Sequence, residues 1–246
     1  MIKNDQYINC DLSIIIPVYN EARVIEKVIR CFYEKVVKKL PSAKLLIAED
    51  GSTDGTKEVL RKLLQEIPFT LISGKERKGY TKAFKDALGI AETKLVFFSD
   101  SDGQQDPEDV FKMLSSINDF DIVSGYKSPR RDPFHRVFIS WAYNFLIFLV
   151  FGIRLKDIDS GFKLIKKEVI DTVLKDVTSM KHCVMSEFIL KAHLSGFSIK
   201  EIPVKHYPRE CGTTSIFSPT KLPGIIISIL INLLEIKFRY KKEEKI

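Results

Sequence analysis

Short apolar runs that stop at polar, glycine- or proline-bearing loops recur through the first half of the chain. They alternate with stretches whose apolar residues fall at helical spacing. Residues 12–17 read as a strand that ends at its own proline. Val18-Tyr19-Asn20-Glu21 follows as a loop, with Asn20 expected to cap a helix carrying Val24, Val28, Ile29 and Phe32 on one face. A second strand over 45–48 closes in Glu49-Asp50-Gly51-Ser52-Thr53-Asp54-Gly55, and Asp54 is expected to cap the helix through Val59 and Leu63. Residues 69–72 make a third strand, and Lys78-Gly79-Tyr80-Thr81 opens a helix with Ala83, Phe84 and Ala87. The run at 95–99 is apolar on both faces, as buried parallel strands are, and 121–124 is a fifth strand. This alternation predicts an α/β architecture, a doubly wound and mainly parallel sheet. No internal repeat or low-complexity linker interrupts it.

The second half changes character. A basic loop over 127–136 (Lys-Ser-Pro-Arg-Arg-Asp-Pro-Phe-His-Arg) leads into 137–153, a mostly apolar stretch with Trp141, Tyr143, Phe138, Phe145, Phe148 and Phe151. That run is short and punctuated for a membrane span. A buried core helix and a helix lying on an anionic bilayer both fit it. A second apolar helix is expected over 223–236, followed by Lys237-Phe238-Arg239-Tyr240-Lys241-Lys242. It reads either as a packing or dimer helix or as an interfacial anchor with a polybasic tail.

With 246 residues, 45% of them apolar, the chain can fill the core of one large α/β domain with an appendage. The net charge of +7 favours anionic partners. The lysines are scattered beside glutamates, as on a solvated surface, so nucleic acid is not expected. Cys10, Cys31, Cys183 and Cys211 show no metal or redox spacing and read as reduced thiols of a cytosolic protein. The polar N-terminus does not read as a signal peptide.

The chemistry gathers at strand ends. Asp100 and Asp102 follow the fourth strand with one residue between them, so on an extended chain both can face one hard cation, and Gln104 adds a neutral oxygen. Such an oxygen set suits Mg2+ or Mn2+ carrying a diphosphate. The structural alternative is an acidic turn in which Asp106 caps a helix at Pro107. Tyr19 offers an aromatic face for a base, Glu21 and Asp50 offer acceptors, and Lys78 offers a cation at a helix N-terminus. Asp50 as a turn residue and Asp54 as a cap are the structural readings. The carboxyl ends of these strands meet in one crevice in an open α/β sheet.

Taken in order, Pro17-Val18-Tyr19-Asn20-Glu21, Glu49-Asp50-Gly51-Ser52-x-Asp54, Lys78-Gly79 and Asp100-Ser101-Asp102 resemble the successive motifs of family-two glycosyltransferases with the GT-A fold. Asp-x-Asp-x-Gln is similar to the branch that glycosylates polyprenyl phosphates, dolichyl-phosphate mannose synthases among them. Asp157-x-x-Ser160-Gly161-Phe162-Lys163 and Ile202-Pro203-Val204-x-His206-x-x-Arg209-x-x-Gly212-x-x-Ser215 extend that likeness. The resemblance implies a GDP- or UDP-hexose donor bound by Pro17, Tyr19, Glu21, Asp50, Lys78, Asp100 and Ser101. It implies a metal on Asp100, Asp102 and Gln104, and it makes Asp157 and Arg209 the catalytic pair, with Asp159 second to Asp157. The family branch usually carries Arg where this chain has Gly125. The acceptor phosphate is therefore expected on Lys127, Arg130, Arg131, Arg209 and Ser215. His206 reads as structural before it reads as a ligand or base.

The implied organisation is a catalytic domain over 1–215, with a donor half at about 10–125 and an acceptor half at about 126–215, then an apolar helix and basic tail over 216–246. The implied reaction is inverting transfer of a hexose to a polyprenyl (dolichyl) phosphate by a protein peripheral to the cytoplasmic membrane face, as a homodimer or with a separate membrane subunit. Rival readings are a soluble glycosyltransferase acting on a sugar or protein hydroxyl, a nucleotidyltransferase, and a non-catalytic nucleotide-sugar-binding subunit. The nucleotidyltransferase would want a glycine-rich loop after the first strand, where Val18-Tyr19-Asn20-Glu21 stands.

Overall fold

A computed structural model of the chain describes residues 10–178, 180, 183–208 and 222–243, with the side chains of 223–240 in the last stretch. Seven strands form one sheet: β1 Leu12–Val18, β2 Lys44–Glu49, β3 Thr70–Ser73, β4 Leu95–Ser99, β5 Ile122–Lys127, β6 Phe162–Lys166 and β7 Ile199–Val204. Their order is β3-β2-β1-β4-β6-β5-β7. Every pairing is parallel except those of β6, which runs against both β4 and β5. The helices are α1 Ile25–Lys35, α2 Thr56–Leu63, α3 Tyr80–Gly89, α4 Val110–Leu114, α5 Phe134–Phe151, α6 Lys167–Val173, α7 Val184–Leu194 and α8 Leu222–Glu243.

The sheet is buried on both faces because its strands are apolar at odd and even positions. Leu12, Ile14, Ile16, Phe97, Phe162 and Leu164 pack with α1, α2 and α4. Ile15, Val96, Phe98 and Ile165 pack with α3, α5, α6, α7 and α8. The five strands expected from the pattern are all present, and the reversed β6 was not expected. Its reversal has a direct consequence: residues 152–161, which lead into β6, arrive at the same edge as the carboxyl ends of β1, β2, β4 and β5.

One local expectation is corrected, and one open alternative is narrowed. Asn20 does not cap α1. It sits at φ 54, its N–H donates to Ser52 Oγ at 3.0 Å and its Oδ1 accepts from Thr53 N at 2.8 Å. The residue ties the β1 loop to the β2 loop, and α1 begins only at Ile25. Nor is α5 a core helix. Asn144, Ile147 and Phe151 are its buried residues. Phe134, Phe138, Trp141, Phe145 and Leu149 are exposed. Among the described residues it is the one helix long and apolar enough to cross a membrane, with mean hydropathy 1.5 and 17% of its residues buried. Helix α8 buries Leu233 and Ile236 in the same cluster as α5 and leaves Ile227, Leu230, Ile231, Leu234 and Phe238 exposed. Lys237 Nζ lies 5.5 Å from the centre of the Phe151 ring, and Tyr240 Oη donates to the Leu194 carbonyl. One expected cap holds, Asp106 accepting from Glu108 N at 3.2 Å with Pro107 at the first helical position. The other is displaced, since Gly55 is the N-cap of α2 and Asp54, one residue before it, accepts from Thr56 N at 3.1 Å.

Candidate active site

The donor side is built from the loops after β1, β2 and β3. Asp50 Oδ1 accepts from Lys78 N at 2.8 Å and Oδ2 from Gly79 N at 3.1 Å, so the carboxylate fastens the loop that opens α3. Gly51 makes this possible. At φ +70 its backbone passes so close to Glu76 and Arg77 that a Cβ would meet Glu76 C at 2.4 Å and Arg77 N at 2.5 Å. Glu49 is buried, accepts from Ser73 Oγ at 2.7 Å and also takes the Ser52 N–H. Tyr19 carries the Arg77 guanidinium 4.1 Å above its ring. Glu21 N donates to Thr56 Oγ1 at 3.0 Å. Pro17 sits in β1 opposite Ala48. The Lys78 ammonium pairs with Asp86 at 2.5 Å, so it is the main chain of Lys78 that faces Asp50. A cleft lined by Asp50, Ser73, Gly74, Lys78 and Asp86 opens beside these groups.

The centre lies after β4. Asp100 N donates to Gly161 O at 2.9 Å, which brings the antiparallel neighbour's loop against the Asp-x-Asp turn. Ser101 lies between the two carboxylates, and Gln104 N donates to Asp102 Oδ1 at 3.1 Å. Burial first, then the nearby Asp102 charge, pushes Asp100 up to about 7, against the opposing pull of Lys127 and Lys163. Two carboxylates in this state are relieved by a cation, and a hard oxygen set is what Mg2+ or Mn2+ takes. The Gln104 amide nitrogen lies 3.1 Å from the Tyr207 carbonyl and 3.2 Å from His206 Nε2, which leaves its oxygen on the other edge of the amide. Among the described residues no three His, Cys, Asp or Glu side chains cluster for a metal, so the set available is two carboxylates and an amide.

The acceptor side is the 156–161 loop and the basic loop. Asp157 N donates to Glu201 Oε1 at 3.0 Å and Lys156 N to Glu201 Oε2 at 2.6 Å, while Ile158 N donates to Asn144 Oδ1 at 3.0 Å. Asp157 Oδ2 and Ser160 Oγ are buried with no hydrogen-bond partner in the protein. That leaves them as groups with capacity for a ligand or water. Asp159 differs: its Oδ1 accepts from Ser186 N at 3.1 Å and Ser186 Oγ at 2.9 Å, anchoring the start of α7. Burial raises Asp159 to about 6 against those bonds.

In the basic loop the buried Asp132 carboxylate gathers Arg130 at 2.8 Å, Arg136 at 3.5 Å and Lys127 at 3.8 Å. Arg130 also donates to Ser140 Oγ at 2.8 Å, tying the loop to α5. Arg131 is exposed, and its N–H donates to His206 Nδ1 at 3.2 Å. His206 is 2% exposed and its pKa is lowered by burial, in keeping with the structural role expected of it. Arg209 and Ser215 lie outside the described residues. The Gly125 departure has a spatial cause here, since a Cβ would meet Val204 Cγ1 at 2.8 Å and Phe162 Cδ1 at 3.1 Å. Sequence reasoning missed Asn144, Glu201 and Asp132, which hold the two loops. For Glu201 the spacing carries no signal, because only the β5–β7 pairing brings it to the site. Asn144 reaches the 156–161 loop from α5, and Asp132 lies in the basic loop itself, where its role as the hub of the loop's cations has no sequence signature.

The sequence profile described as Glycosyl transferase family 2 matches residues 13–174. The chain is 28% identical over 251 residues to dodecaprenyl-phosphate galacturonate synthase of Rhizobium johnstonii, covering 97% of this chain and 70% of that protein. It is 26% identical over 216 residues to polyprenol monophosphomannose synthase of Mycolicibacterium smegmatis, covering 82% of this chain and 80% of that one. The fold is shared with glucosyl-3-phosphoglycerate synthase of Mycobacterium tuberculosis, a structure with Mn2+, UDP and phosphoglyceric acid. The TM-score is 0.70 at 17% identity, over 95% of this chain and 81% of that one. The match over most of the sheet, on a GT-A architecture, establishes that this chain belongs to glycosyl transferase family 2.

Proposed function

We propose that the protein transfers a hexose from a nucleotide-diphosphate sugar to a polyprenyl phosphate, with inversion at the anomeric carbon, while lying on the cytoplasmic face of a membrane. The observation that carries this reading is the basic loop at the rim of the site running straight into α5, whose Phe138, Trp141 and Phe145 are exposed. An acceptor that is anionic at one end and apolar along its length matches that junction. The relatives named for polyprenyl-phosphate sugars support the same reading.

In this account Tyr19 stacks on the base, and Glu21 and Asp50 receive its ring N–H groups or the ribose hydroxyls. For the base to use the ring face that Arg77 covers, the guanidinium must move aside or form the other wall of a sandwich. Pro17, Lys78 and Ser101 line the donor's path. Asp100, Asp102 and Gln104 hold a divalent cation, Mg2+ or Mn2+, which supplies charge neutralisation for the leaving diphosphate. The acceptor phosphate has its second pKa at about 6, so it is largely dianionic at neutral pH and attacks without a strong general base. Its oxygen forms the bond to the anomeric carbon as the bond to the nucleoside diphosphate breaks. Asp157 orients the acceptor from beneath, and Arg131, Arg209 and Ser215 bind its phosphate. Lys127 and Arg130 contribute from their shared pairing with Asp132.

A nucleotide panel tests the donor half. UDP or GDP should raise the melting temperature, more so with Mn2+, and Asp102→Asn should erase the metal-dependent part. A protein indifferent to every nucleotide, with or without Mn2+, contradicts the proposal.

A further inference from the structure

Lys163 stands where a charge is expensive. It lies near the middle of the sheet on β6, fully buried at 0% exposure. The strand register sets it beside Phe98 of β4 and Ser124 of β5, and Ser124 is beside Glu201 of β7. Residues that share a register position face the same side of a sheet, so Lys163, Ser124 and Glu201 form a polar row across three strands. This row lies on the face where Phe98 and Ile165 are packed in apolar contacts.

The row has a purpose at each end. Lys163 Nζ donates to Ser124 Oγ at 2.7 Å. Glu201 receives the main-chain N–H groups of Lys156 and Asp157, so the row supports the 156–161 loop from below. Burial lowers the Lys163 pKa to about 8, and the carboxylates of Asp157, Glu201, Asp159 and Asp100 oppose that fall. The ammonium therefore stays mostly charged at neutral pH. Replacing a whole buried ion pair by apolar side chains is often neutral or stabilising, whereas removing one charged partner is strongly destabilising, so this lysine is tied to the polar groups around it.

We infer that Lys163 is a positioning residue for the acceptor half of the site: buried under the 156–161 loop and bonded to Ser124, it holds the β5 position beside Glu201, whose carboxylate fastens that loop through Lys156 N and Asp157 N. This rests on the reading of Asp157 as the acceptor-side carboxylate. Among the described residues, no side-chain hydrogen bond ties the row to the donor loops after β1, β2 and β3, so its loss should be felt in turnover more than in the affinity for nucleotide without metal.

The test compares Lys163→Met, Ser124→Ala and Asp157→Asn in the full chain. The substrates are undecaprenyl phosphate and whichever of a panel of UDP- and GDP-hexoses supports transfer by the wild type. Lys163→Met should lower kcat by roughly tenfold to a hundredfold with the donor KM within about twofold of wild type. Its thermal shift with UDP or GDP in the absence of Mn2+ should match the wild type. Ser124→Ala should lower kcat by roughly threefold to tenfold in the same pattern. A folded Lys163→Met with full kcat overturns the inference, as does a loss shared equally between kcat and nucleotide binding. If Lys163→Met does not fold, wild-type kcat in Ser124→Ala overturns it. Asp157→Asn separates the two levels. If Asp157→Asn is inactive and Lys163→Met fully active, only the inference about Lys163 fails. Full transfer by Asp157→Asn removes the reading of Asp157 and this inference with it.

Discussion

The carboxylate of Asp100 lies on the α-carbon of Gly161, so close that a Cβ there would meet Oδ2 at 2.0 Å. The metal-side aspartate and the acceptor loop are thus packed against each other through the one residue that has no side chain. Gly161→Ala must push Asp100 away or shift the loop. It is expected to cut transfer by roughly a hundredfold or more and to weaken the Mn2+-dependent stabilisation by nucleotide. Wild-type activity in purified Gly161→Ala would show that Asp100 has freedom to move without consequence.

Arg131 is the exposed arginine of the basic loop, whereas Arg130 and Arg136 share Asp132. Arg131→Ala should therefore raise the KM for a polyprenyl phosphate with little change in donor KM. Arg131→Lys should recover only part, because it loses the two-pronged phosphate contact. Steady-state kinetics with each substrate varied in turn check this. An unchanged acceptor KM would move the phosphate contact elsewhere.

Much of this arrangement was legible beforehand. Buried parallel strands announce themselves as unbroken apolar runs, which is why 12–17, 45–48 and 95–99 were readable. The polar residues that follow them read as a ligand crevice for the same reason. Strand β6 hid because Phe162-Lys163-Leu164-Ile165-Lys166 carries a lysine at its buried second position and borders α6 with no turn signal. Strand β7 hid because Pro203 and two charged residues fit only an edge. The exposure of α5 was undecidable from composition, since an apolar helix looks alike whether it faces core or lipid. Asn20 was misread because its side chain serves a distant loop, a tertiary preference that overrides the local capping signal.

The chain's one tryptophan stands on that exposed helix, with Trp141 61% exposed and stacked on Phe145 at 5.7 Å. Its fluorescence is a direct report on what covers α5. Vesicles containing anionic lipid should shift its emission to the blue and carry the protein in flotation, with a smaller effect from zwitterionic vesicles. Trp141→Glu with Phe138→Glu should abolish flotation and leave nucleotide binding intact. Emission that ignores vesicles would favour a soluble glycosyltransferase.

Asp121 supplies a test of stability against pH. Ser198 Oγ donates to it at 2.7 Å and Ser198 N at 2.9 Å, with Lys166 at 3.0 Å, and these bonds hold it at about 2. A carboxylate lowered on folding contributes stability above its unfolded pKa of about 3.9 and loses it as pH falls towards the folded value. With its side chain 29% exposed, the contribution at neutral pH is about 1–2 kcal/mol after allowance for solvent screening. The melting-temperature gap between wild type and Asp121→Asn should be largest at neutral pH and close between about pH 4 and pH 2. A gap that is constant with pH would contradict the assignment.

The most direct measurement is the product itself. Purified protein is incubated with Mn2+, undecaprenyl phosphate and each of a panel of UDP- and GDP-hexoses, and the lipid phase is analysed by mass spectrometry. The account predicts one new lipid, the polyprenyl phosphate plus a single hexose, formed with release of the nucleoside diphosphate and absent with Asp102→Asn. Hexose transferred only to water-soluble hydroxyl acceptors, with the polyprenyl phosphate left unmodified by an enzyme that binds and turns over the donor, would contradict it.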